Sequence, residues 1–251
     1  MKVLGICFLA VALTAALSSS ASATSFTFGD SAVTWAGWTG NYSSTDSVGT
    51  PDLLGGYGEI SDSGTLVSLS FRYTQSSYAH DSGIPLKAGA LFLDGNADGT
   101  WDYVVDTLGA EDVNQKGYAG YKLYSVSIPE NSAGSYILSQ DSANWQCCSI
   151  RQNQPVGITT SGLTSMGTVG FSGWIEDLNL DASNPNISTF DFGSSNINLG
   201  TSFTISWMPN CANDVIYETI RYNPVPEPGS LVFLGTGIAA IGFVVRRKIK
   251  Q

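Results

Sequence analysis

The sequence predicts an all-β fold, a single antiparallel β-sandwich of jelly-roll type, and three observations carry that expectation. The 251 residues include 28 Gly, and Phe, Trp and Tyr make up 11% of them, a turn-rich and aromatic-rich composition that suits strands better than a helical bundle. Short runs alternate apolar with polar residues, as half-buried strands do. No apolar pattern of helical spacing in the body of the chain is long enough to compete, and no internal repeat at a fixed period points to a propeller or solenoid.

The first 23 residues read as a secretory signal peptide rather than as fold. Lys2 supplies the positive start, residues 3–17 the apolar run, and Ala21 and Ala23 flank Ser22 as the small-residue cleavage site, leaving Thr24 as the first mature residue. Cys7 is a poor lipoprotein acceptor, because it precedes most of the apolar run and follows the bulky Ile6.

Residues 24–222 form the passenger, a length that suits one β domain. Val67, Leu69, Phe71 and Tyr73 fall on one face against Ser68, Ser70 and Arg72, and Phe203, Ile205 and Trp207 alternate likewise with Ser202, Thr204 and Ser206. Further strands are expected at 26–28, 32–38, 90–93, 103–105, 122–128, 136–138 and 168–174, separated by Gly, Asn, Asp and Ser clusters that suit turns.

One inter-strand segment has metal-ligand spacing. Asp94, Asn96, Asp98 and Asp102 recur as D-x-N-x-D-G-x-x-D, with Gly99 at the sharp turn and the Thr100 carbonyl as a further oxygen. Calcium prefers six to eight hard oxygens, and alternating carboxylates around a glycine let one short segment wrap the ion. Val105 stands where a closing bidentate Glu would sit in a helix-loop-helix sensor, so a structural Ca2+ in a strand-to-strand loop is expected. An ordinary Asx-rich turn uses the same residue types. Asp106 either joins the shell or begins the next turn, and the turn is the favoured reading.

Cys147, Cys148 and Cys211 remain after the signal is removed. Export favours one disulfide from Cys211 to either member of the adjacent pair; free or intermolecular thiols, a strained vicinal bridge and a metal site are the alternatives. Little points to catalysis. His80 has no nucleophile in a recognisable turn, and the adjacent acids Glu111/Asp112 and Glu176/Asp177 would point to opposite faces of a strand. Trp35, Trp38, Tyr42 and Tyr57 are candidates for a sugar-stacking face, although aromatics in strands more often fill cores.

The C-terminus is a second address. Residues 223–228 hold three prolines and form a stiff linker ending in Pro226-Glu227-Pro228. Residues 229–245 are an apolar stretch, about 25 Å long as a helix and so a short transmembrane span, and Arg246, Arg247 and Lys248 open the basic tail 246–251 as a cytoplasmic stop. This ordered triplet resembles the PEP-CTERM sorting signal of Gram-negative, biofilm-forming bacteria. The resemblance implies transient anchoring in the inner membrane, processing near Pro-Glu-Pro by the membrane protease exosortase, and a destination at the cell surface or in the extracellular matrix. Residues 203–216, with Cys211-Ala212-Asn213-Asp214, also resemble the strand-Cys-Gly-Asn-Asp ending of such passengers, where the segment is read as the final strand. A non-enzymatic surface or matrix protein associated with exopolysaccharide is therefore expected, with a carbohydrate-binding module or lectin as the alternative and a polysaccharide hydrolase or lyase third.

Charge fits an extracellular passenger. All 21 acids lie between Thr24 and Pro228 with only six of the eleven basic residues, a formal charge of −15 against −10 for the whole chain. No cationic surface is left to face a nucleic-acid backbone.

Overall fold

A computed structural model describes residues 23–37, 51–74, 88–107, 120–131, 137–139, 155–173, 186–193, 195–209, 212–223 and 235–237. Among the described residues twelve strands run in chain order: β1 (Thr24–Phe28), β2 (Asp52–Ile60), β3 (Leu66–Thr74), β4 (Leu91–Asp94), β5 (Thr100–Asp106), β6 (Tyr121–Pro129), β7 (Ile137–Ser139), β8 (Pro155–Ile158), β9 (Ser165–Ser172), β10 (Asn186–Asp191), β11 (Ser202–Trp207) and β12 (Ile216–Arg221). Ten of them form one sheet in the order β1-β2-β3-β10-β9-β6-β5-β4-β11-β12, and β7 and β8 make a separate hairpin. The pairings are antiparallel. The all-β antiparallel expectation holds, and the two layers of the expected sandwich are two halves of one sheet that curls nearly to a closed barrel.

Aromatic packing across the interior shows the curl. Trp207 on β11 stacks 4.5 Å from Phe71 on β3, and Phe203 on β11 meets Phe26 on β1 edge-on at 5.3 Å. These strands are far apart in the sheet order, so the contacts span the core. Trp207, Phe71, Phe190 and Phe203 are fully enclosed, and burying each such side chain contributes about 1.5–3 kcal/mol.

A second apolar cluster covers the outer side of β4, β5, β6 and β11. Trp35, Val156, Ile158, Met208 and Val215 pack there on Phe92, Trp101, Val104 and Tyr124. This cover explains why β11 is buried on both faces, with Ser206 and Thr204 as enclosed as their apolar neighbours.

Several expected strands need correction. The described part of 32–38 is bends and a turn, because Trp35 plugs the outer cluster and donates its indole N–H to the Glu130 carbonyl at 2.9 Å. Val67 does not join Leu69, Phe71 and Tyr73 in the core. The β2–β3 register slips between Glu59 and Ile60, so that Leu66 faces inward and Val67 is only half-buried. Segment 203–216 is strand β11, then a buried loop carrying Asn213 and Asp214, with β12 as the last strand of the sheet.

Candidate functional site

The β4–β5 connection is the loop that the spacing singles out. Asp94 ends β4 and is wholly enclosed; its Oδ1 accepts the Asn96 N–H at 3.1 Å and its Oδ2 the Gly99 N–H at 2.8 Å. Asn96 Oδ1 accepts the Asp98 N–H at 3.0 Å, and the Asn96 amide donates to Asp98 Oδ2 at 3.1 Å. Asp102, already on β5, accepts the Gly95 N–H at 2.8 Å. The turn requires a left-handed backbone at Gly99, where φ is +87°, and Ala97 takes φ +56° beside it. Asp and Asn stand here at a period of two because each short side chain reaches the backbone N–H groups beyond it.

The segments just before β11 and just after β6 hold this loop from both sides. The Gly200 N–H donates to the Gly95 carbonyl at 2.7 Å, and the Glu130 N–H to the Gly99 carbonyl at 2.9 Å. Thr100, the fifth expected ligand, sits in register with Pro129 at the start of β5. The sequence-derived set Asp94, Asn96, Asp98, Thr100 and Asp102 therefore lies on one loop. As folded, its oxygens are spent largely on its own backbone. Among the described residues, no group of three or more His, Cys, Asp and Glu side chains is arranged to hold a metal ion.

Two participants escaped the sequence reading. Glu130, just after β6, accepts a hydrogen bond from the Tyr217 hydroxyl on β12 through Oε2, and its Oε1 is buried. Burial first, then the hydrogen bond with Asp94 and the Asp94 charge, raise the Glu130 carboxyl to about 7 against the lowering effects of Tyr217 and Thr204. Burial and the adjacent Glu130 push the Tyr217 phenol up in turn. Asp102 is also raised, first by burial and then by the charges of Asp94 and Asp98, although the Gly95 N–H pulls the other way. Like charges are thus crowded at this end of the barrel. Asp94, which faces Glu130, is wholly enclosed.

The remaining sequence candidates fall largely elsewhere. Ala21, the cysteines Cys147, Cys148 and Cys211, the motif Pro226, Glu227 and Pro228, and the stop Arg246, Arg247 and Lys248 lie outside the described residues, as do His80, Trp38, Tyr42, Glu111, Asp112, Glu176 and Asp177. Ala23 is exposed just before β1, which begins at Thr24. Of the expected membrane span only 235–237 are described; they are helical and exposed, and no helix among the described residues is long and apolar enough to cross a membrane.

The fold defines an antiparallel, nearly closed β domain with its last strand leading into the C-terminal linker. The tail then supplies the assignment: a family model described as the PEP-CTERM protein-sorting motif matches residues 224–248. The chain carries that motif, and the motif marks it as an exported, membrane-transiting protein sorted to the cell surface by exosortase. No curated protein and no solved structure matches the chain.

Proposed function

We propose that the chain is a non-enzymatic surface or extracellular-matrix protein of a Gram-negative bacterium, held among exopolysaccharide after exosortase has released it from the inner membrane. The sorting motif at residues 224–248 carries this reading. Its geometry is consistent, since β12 ends at Arg221, three residues before the matched segment. The test is expression with and without exosortase. The intact chain should shorten and reach the surface only when the protease is present, and replacing Pro226, Glu227 and Pro228 by alanine should leave it full-length in the inner membrane. Unchanged processing of that variant would refute the reading.

A carbohydrate-binding module is the second reading, and the exposed Tyr57 beside Arg72, which meets no carboxylate among the described residues, favours it. For the β4–β5 loop we propose a structural Ca2+ site formed by Asp94, Asn96, Asp98, Thr100 and Asp102. Its support is the hard-oxygen donor set, together with an Asp102 carboxyl raised first by burial and then by the charges of Asp94 and Asp98, the last of which a bound cation would relieve.

A further inference from the structure

The outer face of β1, β2 and β3 carries an open cleft of about 600 Å3 lined by Thr27, Phe28, Gly29, Gly56, Tyr57 and Arg72. Thr27, Tyr57 and Ser70 stand side by side in register on the three strands. The Tyr57 ring is 39% exposed, and it is one of three large apolar side chains exposed among the described residues; Ile187, another of them, lies in register with Arg72 on β10. Arg72, on β3, is therefore flanked by two exposed apolar groups on the strands to either side.

Arg72 is the informative residue. It is exposed, its Nη2 donates to the Leu54 carbonyl at 3.1 Å, and it forms no ion pair with a carboxylate among the described residues. Among the described residues acids far outnumber bases, so a guanidinium that meets no carboxylate there is conspicuous. The bond to Leu54 fixes one edge of the guanidinium and leaves other N–H groups for a planar anion, which this group grips through two parallel hydrogen bonds. Tyrosine offers a flat apolar face with a polar tip.

We propose that this cleft binds a sugar-acid unit of an anionic polysaccharide. The Tyr57 ring lies under the apolar face of the pyranose, Arg72 takes its carboxylate and the Thr27 hydroxyl takes a sugar hydroxyl. A single cation matches one carboxylate per site, whereas a nucleic acid would need several cations along its phosphates. The chain's own negative charge limits how many acidic units can bind at once, so recognition is confined to one unit and weakens with salt. The proposal deepens the matrix-associated reading, and the exosortase processing assay reports on that reading separately.

The test is calorimetry of the full-length chain with tetragalacturonate, its methyl ester and tetra-aspartate, in chelator so that no bridging cation contributes. The free acid should bind at least tenfold tighter than the ester. Arg72→Gln should reduce acid binding to the level of the ester, Arg72→Lys should recover part of it, and Tyr57→Ala should weaken both sugars at least fivefold. Near-UV circular dichroism should show that the exposed substitutions leave the fold intact. Equal binding of acid and ester, no binding of either, indifference to Tyr57→Ala, or equally tight binding of tetra-aspartate would each overturn the proposal.

Discussion

Asp214 accepts the backbone N–H of Leu53 through Oδ2 at 2.6 Å, joining residues 161 apart in sequence. The same loop repeats the connection one residue earlier, where the Asn213 amide donates to the Pro51 carbonyl at 2.8 Å. Asp214 is fully enclosed and also takes the Val215 N–H through Oδ1 at 2.8 Å. The β11–β12 loop is therefore stapled to the start of β2, drawing together two parts of the sheet that no strand pairing joins.

Asp214→Ala should destabilise the full-length chain by about 2–3 kcal/mol, since it strands a buried N–H and removes a charge-assisted acceptor. Asn213→Ala should cost about 1 kcal/mol. The double variant should cost less than the sum, because both residues hold the same joint. Urea unfolding of the four chains measures all three values, and strict additivity would show that the two bonds act independently.

Trp207→Ala should be the most damaging core substitution of this group, at about 3–5 kcal/mol. Its ring is fully enclosed against Phe71, Tyr73 and Phe190, and its indole N–H donates to the Gly89 carbonyl at 3.1 Å. Trp207→Phe keeps much of the volume but leaves that carbonyl short of a donor, so it should cost less than alanine yet more than 1 kcal/mol. Denaturant midpoints decide the order.

β3 and β11 were legible in the sequence because Leu69, Phe71 and Tyr73, and Phe203, Ile205 and Trp207, alternate cleanly. β2 was not. Its Gly55, Gly56 and Gly58 dilute the pattern, and packing requires them: a Cβ on Gly56 would stand 2.6 Å from the Phe28 ring, and one on Gly58 2.4 Å from the Phe26 ring. The rings of β1 fill the space that side chains of β2 would otherwise take. The loop 94–102 was visible because its chemistry is local. Glu130 and Tyr217 meet 87 residues apart, and only the β6-β5-β4-β11-β12 order brings them to that loop.

Glu130 gives the clearest pH signature. Its folded pKa, about 7, lies above the ordinary value of 4.5, so the folded state binds its proton more tightly than the unfolded chain does. The resulting stability is complete below pH 4.5 and declines as pH rises through 7. Glu130→Gln mimics the protonated form and keeps an acceptor for Tyr217. In chelator, the variant should melt higher than the parent at pH 8 and at the same temperature at pH 4, and a constant difference between the two would exclude a titrating Glu130.

The acidic loop should respond to calcium in a way that separates an ion site from a self-sufficient turn. Asp98 is exposed and contributes to the turn through its bond with the Asn96 amide, so Asp98→Ala should cost well under 1 kcal/mol in chelator. If the loop takes up Ca2+, millimolar ion should raise the melting temperature of the parent by several degrees, because a ligand that binds only the folded state stabilises in proportion to the logarithm of its saturation. Asp98→Ala should abolish that rise, and Mg2+ should not reproduce it, since the smaller ion demands a tighter octahedron than an alternating loop supplies. Glu130→Gln removes a charge that faces the ligand Asp94 but none of the alternating donors, so the rise should persist in weakened form. A parent chain indifferent to millimolar Ca2+ would leave the loop as a turn closed by its own Asx bonds, with the crowding of Asp94, Asp98 and Asp102 tolerated in exchange for the backbone N–H groups they satisfy.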